Sequence, residues 1–351
     1  MKDYMAPMEG VTNFVYRRAY HRFYHPMDKY FTPFISAKPK KNLSFQEICE
    51  VSPEQNEGMY VVPQILTCNA EDFIRTAQLL KEDYGHQEVN LNLGCPSGTV
   101  TAKGKGAGFL AEPQKLDAFL DEIFSKLDMK ISIKTRIGTH YEEDWDYLLA
   151  IYEKYPIHEL IIHPRIQTDM YRGVPRLGAY EKAVSRLQMP LCYNGNLFST
   201  ADYKRITQRF PDTDCFMYGR GLITNPGLVS EIRDGVQPGK AVLCQFHDCL
   251  LEEYKELLSG ARNVLISMAG DGAMLIDETG EKHRCGVCKG TVKNSVGAGD
   301  SMVAGFTAGI QQGDQLDYEY ALKLGTAAGG ATAFSDGLAQ KEKIAELLET
   351  L

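Results

Sequence analysis

The stretch Glu88-Val89-Asn90-Leu91-Asn92-Leu93-Gly94-Cys95-Pro96 reads as a short strand that ends in a turn. Its first six residues alternate polar and apolar side chains, which is typical of a β-strand, and the glycine and proline then end it. Seven similar apolar runs recur along the chain, each followed by a polar loop and then a helical pattern. With this one, they cover residues 4–8, 30–34, 60–65, 88–93, 131–137, 160–164, 190–194 and 215–218. Eight βα units predict an α/β protein built on a closed (β/α)8 TIM barrel, with its site at the carboxyl ends of the strands.

The length and composition fit one barrel plus a smaller second unit. A single α/β barrel takes roughly 250 residues, and the chain has 351. The hydrophobic fraction of 44% and the charged fraction of 24% are those of a globular protein and argue against a disordered one. The sequence shows neither a signal-peptide pattern nor an apolar stretch near 18 residues, so we expect a cytoplasmic protein.

The cysteines predict reduced thiols. There are nine, an odd number, without the regular spacing of a disulfide framework. Cys285 and Cys288 form one C-x-x-C motif, but a zinc site would need a second pair or nearby histidines, and only His283 is close. We therefore expect no bound metal there.

The net charge of −8 is unusual for a protein that binds nucleic acid, because phosphate contacts need Lys and Arg. Residues 1–260 contain 30 basic and 34 acidic side chains, and residues 261–351 contain 8 and 12. Local patches at Lys38, Lys40 and Lys41, or at Lys103 and Lys105, could still guide a polyanion. They could equally be solvated loop residues, and the sequence leaves both interpretations open.

Polar residues and glycines follow the predicted strands and indicate a phosphorylated cofactor. Phosphate-binding barrels hold the anion near the last two strands. The segments Asn194-Gly195-Asn196 and Gly219-Arg220-Gly221 occupy that position. The guanidinium of Arg220 can donate two parallel hydrogen bonds to a phosphate. Lys134 and Gln64 could address the polar edge of a flat heterocycle, and a reduced flavin fits that requirement.

Six motifs occur in order along these strands. They are Ala6-Pro7-Met8-Glu9-Gly10-Val11-Thr12, Val89-Asn90-Leu91-Asn92-Leu93-Gly94-Cys95-Pro96-Ser97, Lys134-Thr135-Arg136-Ile137-Gly138, His163-Pro164-Arg165, Tyr193-Asn194-Gly195-Asn196 and Gly219-Arg220-Gly221. This series resembles that of the tRNA-dihydrouridine synthases over about residues 1–260. The family commonly has an acidic residue where Asn196 stands, and it follows the barrel with a helical tRNA-binding domain of which only a first helix, residues 245–258, is expected here.

The resemblance implies an activity and a set of site residues. The activity is reduction of uridine to dihydrouridine in tRNA through bound FMN, with NADPH as reductant. Cys95 would donate the proton, a role that suits a thiol whose ordinary pKa near 8.5 keeps it protonated, and Asn92 would position the base. The resemblance assigns ten residues to the flavin: Pro7, Met8, Gln64, Lys134, His163, Asn194, Gly195, Asn196, Gly219 and Arg220. Arg136 and Arg165 are assigned to uracil or anionic groups nearby.

Residues 261–351 have a different sequence pattern. Two glycine-rich segments, residues 269–273 and 294–300, lie among short strands and an Ala-rich helix. They resemble the C-terminal part of the PfkB-type sugar kinases, close to 1-phosphofructokinase, with ATP and Mg²⁺ implied as ligands. Gly270 and Gly272 would contact the nucleotide, and Asp300 would be the base. Backbone N–H groups of Gly297, Ala298 and Gly299 would form an anion hole.

The sequence thus predicts three parts: an FMN-binding barrel at residues 1–240, a remnant of a helical tRNA-binding domain at 241–260, and a partial α/β ribokinase-like fragment at 261–351. Two alternatives to the synthase activity stay open. One is an ATP-dependent sugar-phosphate kinase that uses Asp300 as base. The other is a non-catalytic chimera whose barrel binds FMN but does not turn over.

Overall fold

The computed structural model describes residues 1–37, 39, 42–257, 263–268, 271–293, 297–311 and 317–351. The chain divides into two compact units, Met1–Leu251 and Glu252–Leu351. No helix within the described ranges is long and apolar enough to cross a membrane.

The first unit is a barrel of parallel strands surrounded by helices. Its strands are β1 (Lys2–Met5), β2 (Lys29–Phe31), β3 (Ile35–Ser36), β4 (Val61–Val62), β5 (Gln64–Leu66), β6 (Glu88–Leu93), β7 (Lys130–Thr135), β8 (Glu159–Ile162), β9 (Leu191–Tyr193) and β10 (Cys215–Tyr218). Its helices are α1 (Phe14–Phe23), α2 (Phe45–Val51), α3 (Ala70–Tyr84), α4 (Gly98–Thr101), α5 (Pro113–Lys126), α6 (Asp144–Tyr152), α7 (Leu177–Arg186), α8 (Thr200–Arg209), α9 (Arg220–Thr224), α10 (Leu228–Arg233) and α11 (Lys240–Leu257), the last of which runs into the second unit. Short 3-10 turns cover Pro53–Asn56, Gly106–Ala111 and Gln167–Asp169.

The sheet closes on itself around a strand that is interrupted at Pro63. On one side of the interruption β4 pairs with β2, and on the other β5 pairs with β3 and β6. A proline has no N–H for the ladder, but the Pro63 carbonyl still accepts from the Asn90 N–H at 2.9 Å. The remaining strands follow in order to β10, which pairs with β1. The two halves of the interrupted strand therefore complete the barrel.

The structure confirms the predicted TIM barrel, and all eight expected strand positions are occupied. The runs at residues 88–93 and 215–218 have the predicted bounds. The run at 60–65 is split into β4 and β5, and the run at 30–34 contains only the end of β2, with β3 beginning after it at Ile35. Pro33 and Pro63 lie in these two gaps, and neither can donate a ladder hydrogen bond. The other predicted strands differ by one to three residues at their ends.

Charged residues seal the amino end of the barrel. Lys29 Nζ lies 3.0 Å from both carboxylate oxygens of Glu88 and 3.3 Å from Glu159 Oε2. The Tyr4 hydroxyl donates to Glu159 Oε1 at 2.7 Å. Each charge of this amino-end cluster is the first residue of its strand, β2, β6 or β8. Above it, the barrel interior is filled mainly by apolar side chains: Tyr4, Ala6, Phe31, Val62, Ile161, Cys192, Cys215 and Met217.

Within its described residues, the second unit contains one antiparallel sheet and three further helices. Its elements are β11 (Val264–Ser267), β12 (Ala273–Ile276), β13 (Lys282–Cys285), α12 (Ala298–Gln311), α13 (Tyr318–Ala333) and α14 (Lys341–Leu348). Helices α12 and α13 approach closely at small residues. A Cβ on Gly305 would lie 2.8 Å from the Ala328 Cβ, and one on Gly309 would lie 2.6 Å from the Ala321 Cα. This close contact requires glycine at both positions.

The division between the units falls inside α11, within the segment predicted as a helical remnant. The predicted helix at 245–258 begins earlier than expected, at Lys240, and residue 258 lies outside the described ranges. The three-part division at residues 240 and 260 stays a prediction.

Candidate active site

The turn after β6 holds Cys95 through the side chain of Asn92. The Asn92 Oδ1 atom accepts from the backbone N–H groups of Gly94, at 3.0 Å, and Cys95, at 2.9 Å. The Asn92 side-chain amide donates in turn to Gln64 Oε1 at 2.7 Å. Asn92 therefore positions the Cys95 turn directly, and the base-positioning role that the resemblance implies for it stays a prediction.

A chain of amide hydrogen bonds continues below Asn92 through the barrel interior. Gln64 Nε2 donates to Asn90 Oδ1 at 2.8 Å, and Asn90 Nδ2 donates to Ser132 Oγ at 3.0 Å. The chain links β5, β6 and β7. Gln64 is 1% exposed and has both ends of its amide engaged, so a role at the flavin would use its second N–H.

A glycine-rich loop wraps the other side of Cys95. The Ala107 N–H donates to the Cys95 carbonyl at 3.0 Å. Gly106 has φ +56°, and a Cβ there would lie 2.8 Å from the same carbonyl oxygen and 3.1 Å from the Cys95 Cβ. The close approach and the left-handed backbone both favour glycine.

The environment of Cys95 keeps its thiol protonated. Burial raises the pKa of the Cys95 thiol, and the Ser97 N–H, Arg136 and Lys134 offset that rise only in part. A protonated thiol can donate a proton at neutral pH. The electrostatics thus agree with the role predicted for Cys95.

Cations converge on the space next to Cys95 at the carboxyl ends of β7 and β8. Burial and, second to it, the neighbouring Arg136 lower the pKa of Lys134 to about 8. The pKa of His163 lies well below its usual value, first because of burial and then because of Lys134 and the neighbouring arginines. Arg165 Nη1 lies 3.3 Å from His163 Nε2. Since an arginine can only donate, Nε2 is an acceptor and the imidazole is neutral.

Arg136 and Arg165 line the site and also donate hydrogen bonds to backbone carbonyl groups. Arg136 donates from Nε to the Gly94 carbonyl and from Nη1 to the Ile166 carbonyl, both at 2.9 Å. Arg165 donates to the carbonyls of Arg172 and Gly173. Both side chains are 0% exposed. Their predicted contact with uracil or an anion stays a prediction.

The predicted phosphate-binding segments lie beside the turn after β1. A Cβ on Gly219 would lie 3.5 Å from the Ala6 Cβ and 3.7 Å from the Met8 sulfur, so this glycine faces the segment that contains Pro7 and Met8. Asn194 Nδ2 donates to the Met217 carbonyl at 2.9 Å and joins β9 to β10.

The side chain of Asn196 connects two arginines of the site. Its Oδ1 atom lies 3.4 Å from nitrogens of both Arg165 and Arg220. At the preceding residue, a Cβ on Gly195 would lie 2.3 Å from the Tyr193 hydroxyl oxygen, so only glycine fits there. The structure thus brings the predicted flavin residues to one rim of the barrel, and their chemistry, cationic and closely packed by glycine, fits a phosphorylated flavin.

The sequence did not indicate two aromatic residues of this rim, Tyr171 and Phe198. The Tyr171 ring centroid lies 5.4 Å from the Arg136 guanidinium carbon and 5.1 Å from that of Arg220. The Phe198 ring centroid lies 5.5 Å from the Arg220 guanidinium carbon. An aromatic residue in the loop after a barrel strand that carries catalytic candidates was the available signal.

The candidate residues of the second unit lie at the start of α12 and beside β12. Gly297 has φ +81° and precedes α12, which begins with Ala298 and Gly299. Asp300 lies in the first turn of that helix and is exposed. Gly272, with φ +92°, would place a Cβ 2.2 Å from the Cys285 carbonyl oxygen. Gly270 lies outside the described residues, as do Lys38, Lys40 and Lys41.

One thiol and one carboxylate of the second unit have structural partners. Cys285 and Cys288 are both buried and form no disulfide, and the Cys288 Sγ lies 3.7 Å from the Thr326 carbonyl oxygen. Ligand atoms of Asp277, Glu281 and His283 lie within 4.8 Å of one another, a group that the sequence had not indicated. The Asp277 carboxylate accepts the N–H groups of Thr279 and Glu281 and bonds to His283 Nε2, which organises the hairpin turn between β12 and β13.

The barrel and its rim define a class of α/β-barrel proteins that bind a phosphorylated ligand at the carboxyl ends of the strands. The profile of the dihydrouridine synthase (Dus) family matches residues 4–268, and the chain belongs to that family. It is 27% identical over 264 residues to the "Probable tRNA-dihydrouridine synthase 1" of Synechocystis sp., covering 71% of this chain and 72% of that protein. It is 29% identical over 255 residues to the "tRNA-dihydrouridine(16) synthase" of Shewanella oneidensis, covering 68% and 77%.

The C-terminal part matches a second family. The profile of the pfkB family carbohydrate kinases covers residues 246–344. The segment is 51% identical over 89 residues to the 1-phosphofructokinase of Bacillus subtilis, which is 25% of this chain and 28% of that kinase. The chain thus spans about a quarter of the kinase.

Proposed function

We propose that this protein reduces uridine to 5,6-dihydrouridine in tRNA, in the cytoplasm, with FMN as cofactor and NADPH as reductant. The observation that carries the proposal is a protonated thiol, Cys95, which Asn92 holds beside a group of buried cations. Membership of the dihydrouridine synthase family and the names of the relatives support it.

Cys95 supplies the proton in this proposal. When bound, the flavin supplies a hydride to one carbon of the uracil double bond. The thiol of Cys95 protonates the other carbon and becomes a thiolate. Arg136 and Lys134 both lower the pKa of this thiol, so they stabilise the thiolate that remains.

The other rim residues bind and orient in this proposal. Arg220, Asn194, Gly195 and Asn196 hold the flavin phosphate, while Pro7, Met8 and Gly219 pack against the cofactor. Gln64 and Lys134 address the polar edge of the ring system, with Lys134 stabilising negative charge. His163 is neutral and its Nε2 already accepts from Arg165, so its Nδ1 can donate a single hydrogen bond there. Arg165 and Arg136 face the uracil or anionic groups.

The test compares wild type with Cys95→Ala on an unmodified tRNA transcript with FMN and NADPH. Removing a general acid costs about 10²–10⁴-fold in rate, so dihydrouridine formation by the variant should fall at least a hundred-fold while flavin absorbance is retained. Cys244→Ala, at an exposed cysteine of α11, is the matched control and should leave the rate unchanged. Equal rates for wild type and Cys95→Ala would refute the proton donor.

The high identity to 1-phosphofructokinase is the observation that favours a second candidate, a sugar-phosphate kinase with Asp300 as base and ATP with Mg²⁺ as ligands. ATP-dependent phosphorylation of fructose 1-phosphate, lost on Asp300→Ala, would establish it. Because the matched segment spans only 28% of the kinase, we rank it below the synthase. The remaining alternative is a chimera without turnover, which would bind FMN but form no dihydrouridine. Flavin content and dihydrouridine, measured on the same sample, distinguish this chimera from an active synthase.

A further inference from the structure

Four polar side chains form a continuous hydrogen-bonded row inside the barrel, directly below the Cys95 turn. Gln64, Asn90 and Ser132 are register partners on the neighbouring strands β5, β6 and β7, and Asn92 lies two residues further along β6. We call Asn92, Gln64, Asn90 and Ser132 the amide row. The resemblance implies roles for Asn92 and Gln64, but it implies none for Asn90 or Ser132.

Strand alternation points the amide row into the barrel. Successive residues of a strand face opposite sides, and the neighbouring residues Val89, Leu91 and Ile133 pack in the core that the helices cover. The interior of the barrel is otherwise mainly apolar, and the members of the row are between 0% and 7% exposed. Because a buried amide without a partner costs free energy, the row is stable there only if its hydrogen bonds are complete.

The Cys95 turn fixes the direction of the hydrogen bonds in the row. Backbone N–H groups can only donate, and those of Gly94 and Cys95 both point to one side-chain atom of Asn92, which must be its oxygen. The Asn92 nitrogen is left to donate to Gln64 Oε1 at 2.7 Å. The Gln64 nitrogen then donates to Asn90 Oδ1 at 2.8 Å. The orientation of each amide thus follows from the one before it.

The lower end of the row has the matching polarity. Asn90 donates to Ser132 Oγ at 3.0 Å, and the Ser132 hydroxyl donates to the Val89 carbonyl at 3.4 Å. An inverted Gln64 would place its oxygen against the oxygen of Asn90 and its nitrogen against the nitrogen of Asn92. Since inversion would break both hydrogen bonds, the row holds the Gln64 amide in a single orientation.

We propose that Asn90 and Ser132 are positioning residues for the flavin. They hold the Gln64 amide in the orientation that meets the cofactor, and through Asn92 they keep the Cys95 turn aligned with it. The inference rests on the proposed function, because the assignment of Gln64 to the flavin belongs to that proposal. Neither Asn90 nor Ser132 touches the cofactor in this arrangement. A side chain that is fixed beforehand loses less conformational entropy when the ligand binds.

The experiment titrates the full chain, freed of flavin, with FMN and follows the quenching of flavin fluorescence. Asn90→Leu removes the acceptor of the Gln64 amide and should weaken FMN binding about five- to ten-fold, the effect of ordering one side chain on binding. Asn90→Asp keeps that acceptor in either protonation state, so FMN affinity should stay within about two-fold of wild type. Ser132→Ala removes one hydroxyl and should weaken FMN binding about three-fold.

Turnover of the same variants tests the link to the Cys95 turn. Asn90→Leu should lower kcat for dihydrouridine formation about ten-fold or more, because small misplacement of a reacting group is costly. Its KM for tRNA should not change, since the amide row lies inside the barrel. Asn90→Asp should restore kcat.

The matched control is Thr213→Val, which also removes a buried hydrogen bond, with the Tyr180 hydroxyl at 3.1 Å, but outside the row. It should lower the melting temperature as Ser132→Ala does, and leave FMN affinity and kcat at the wild-type values. An equal loss of FMN affinity in the control would overturn the inference, because general destabilisation would then explain every variant.

Two further outcomes would overturn the inference: unchanged FMN affinity in both Asn90→Leu and Ser132→Ala, or an Asn90→Asp variant that binds FMN as weakly as Asn90→Leu. If Asn90→Leu does not fold, the milder Ser132→Ala decides. The expected FMN affinities without dihydrouridine formation by wild type would uphold the row and refute the proposed function. Dihydrouridine formation with equal FMN affinity in all variants would do the reverse.

Discussion

At the scale of single residues, the proposed reaction requires Cys95 to be neutral and Lys134 to be charged. Cys95 has to hold a proton that it can give away, and burial raises the pKa of its thiol. Lys134 has to hold a charge, and the same burial lowers its pKa to about 8. The two shifts have one physical cause, because a low-dielectric environment disfavours the charged form of either group.

The lowered pKa of Lys134 makes the rate depend on pH in a defined direction. The ammonium is charged below about pH 8 and neutral above it, so kcat/KM for tRNA should fall as the pH rises through about 8. This occurs before Cys95 deprotonates, because its pKa lies above the ordinary value. In Lys134→Arg the group stays charged throughout, and the inflection near pH 8 should disappear whatever the absolute rate. The measurement is kcat/KM from pH 6.5 to 9.5 for both proteins; the same inflection in both would show that Lys134 is not its origin.

The sequence indicated most of the individual site residues but not their contacts. Cys95, Lys134, His163 and Arg220 follow predicted strands, and parallel strands bring their carboxyl ends to one rim. The hydrogen bond from Asn92 to the Cys95 turn depends on where its side chain points, which strand periodicity does not specify. Tyr171 was missed for a similar reason, because its two arginine partners, Arg136 and Arg220, follow other strands, β7 and β10.

At the scale of elements, the glycine-rich loop after α4 controls the shape of the Cys95 turn. Gly104 and Gly106 both have left-handed backbone, with φ +64° and +56°. They differ in their surroundings, because a Cβ on Gly106 would meet the Cys95 carbonyl whereas one on Gly104 would meet no atom within 4 Å. Alanine substitutions at the two positions therefore distinguish the effect of backbone strain from that of a steric clash with the Cys95 turn.

Gly106→Ala should lower kcat for dihydrouridine formation by about ten-fold or more, since small misplacement of a reacting group costs up to about 100-fold. Gly104→Ala carries a similar strain of about 1–2 kcal/mol and should keep kcat near wild type. Steady-state kinetics and melting temperature, measured on both, check this. A kcat that falls equally in both variants would mean that loop strain, and not displacement of Cys95, limits the reaction.

Element boundaries show where sequence reasoning loses accuracy. The run at residues 60–65 has the composition of one strand, yet Pro63 divides it into β4 and β5, each with a different neighbour. The pattern of apolar residues reports burial, while the pairing partner depends on residues distant in sequence. The closed barrel was predictable from the number of βα units, and its point of closure was not.

At the scale of the whole molecule, the acidic charge predicts weak salt dependence of RNA binding. For single strands the slope of log K against log salt is about −0.7 for each phosphate neutralised. Of the rim cations Lys134, Arg136, Arg165 and Arg220, only Arg220 is exposed. We therefore expect a slope shallower than about −3 for octauridylate between 50 and 200 mM salt. Fluorescence titrations at four salt concentrations give the slope. A value near −5, close to the limit set by the seven phosphates of octauridylate, would indicate an extended basic surface.

The two-family character of the chain was visible in its sequence because glycine-rich motifs have fixed spacing and survive outside their full domain. The profile matches at residues 4–268 and 246–344 fall on the parts that those motifs indicated. The compact units divide at Leu251, inside one continuous helix. A helical pattern carries no mark of the point at which its packing partners change, so the sequence could not place that division.

The charged cluster at the amino end of the barrel has a practical consequence for protein engineering. Lys29, Glu88 and Glu159 come from three different strands and compensate one another in a buried place, where loss of a single partner costs about 3–5 kcal/mol. The loops at the opposite end carry the chemistry and contribute little to that cluster. A library designed to alter the range of RNA substrates can therefore vary the carboxyl-end loops outside the proposed site residues, provided that it leaves these three positions unchanged.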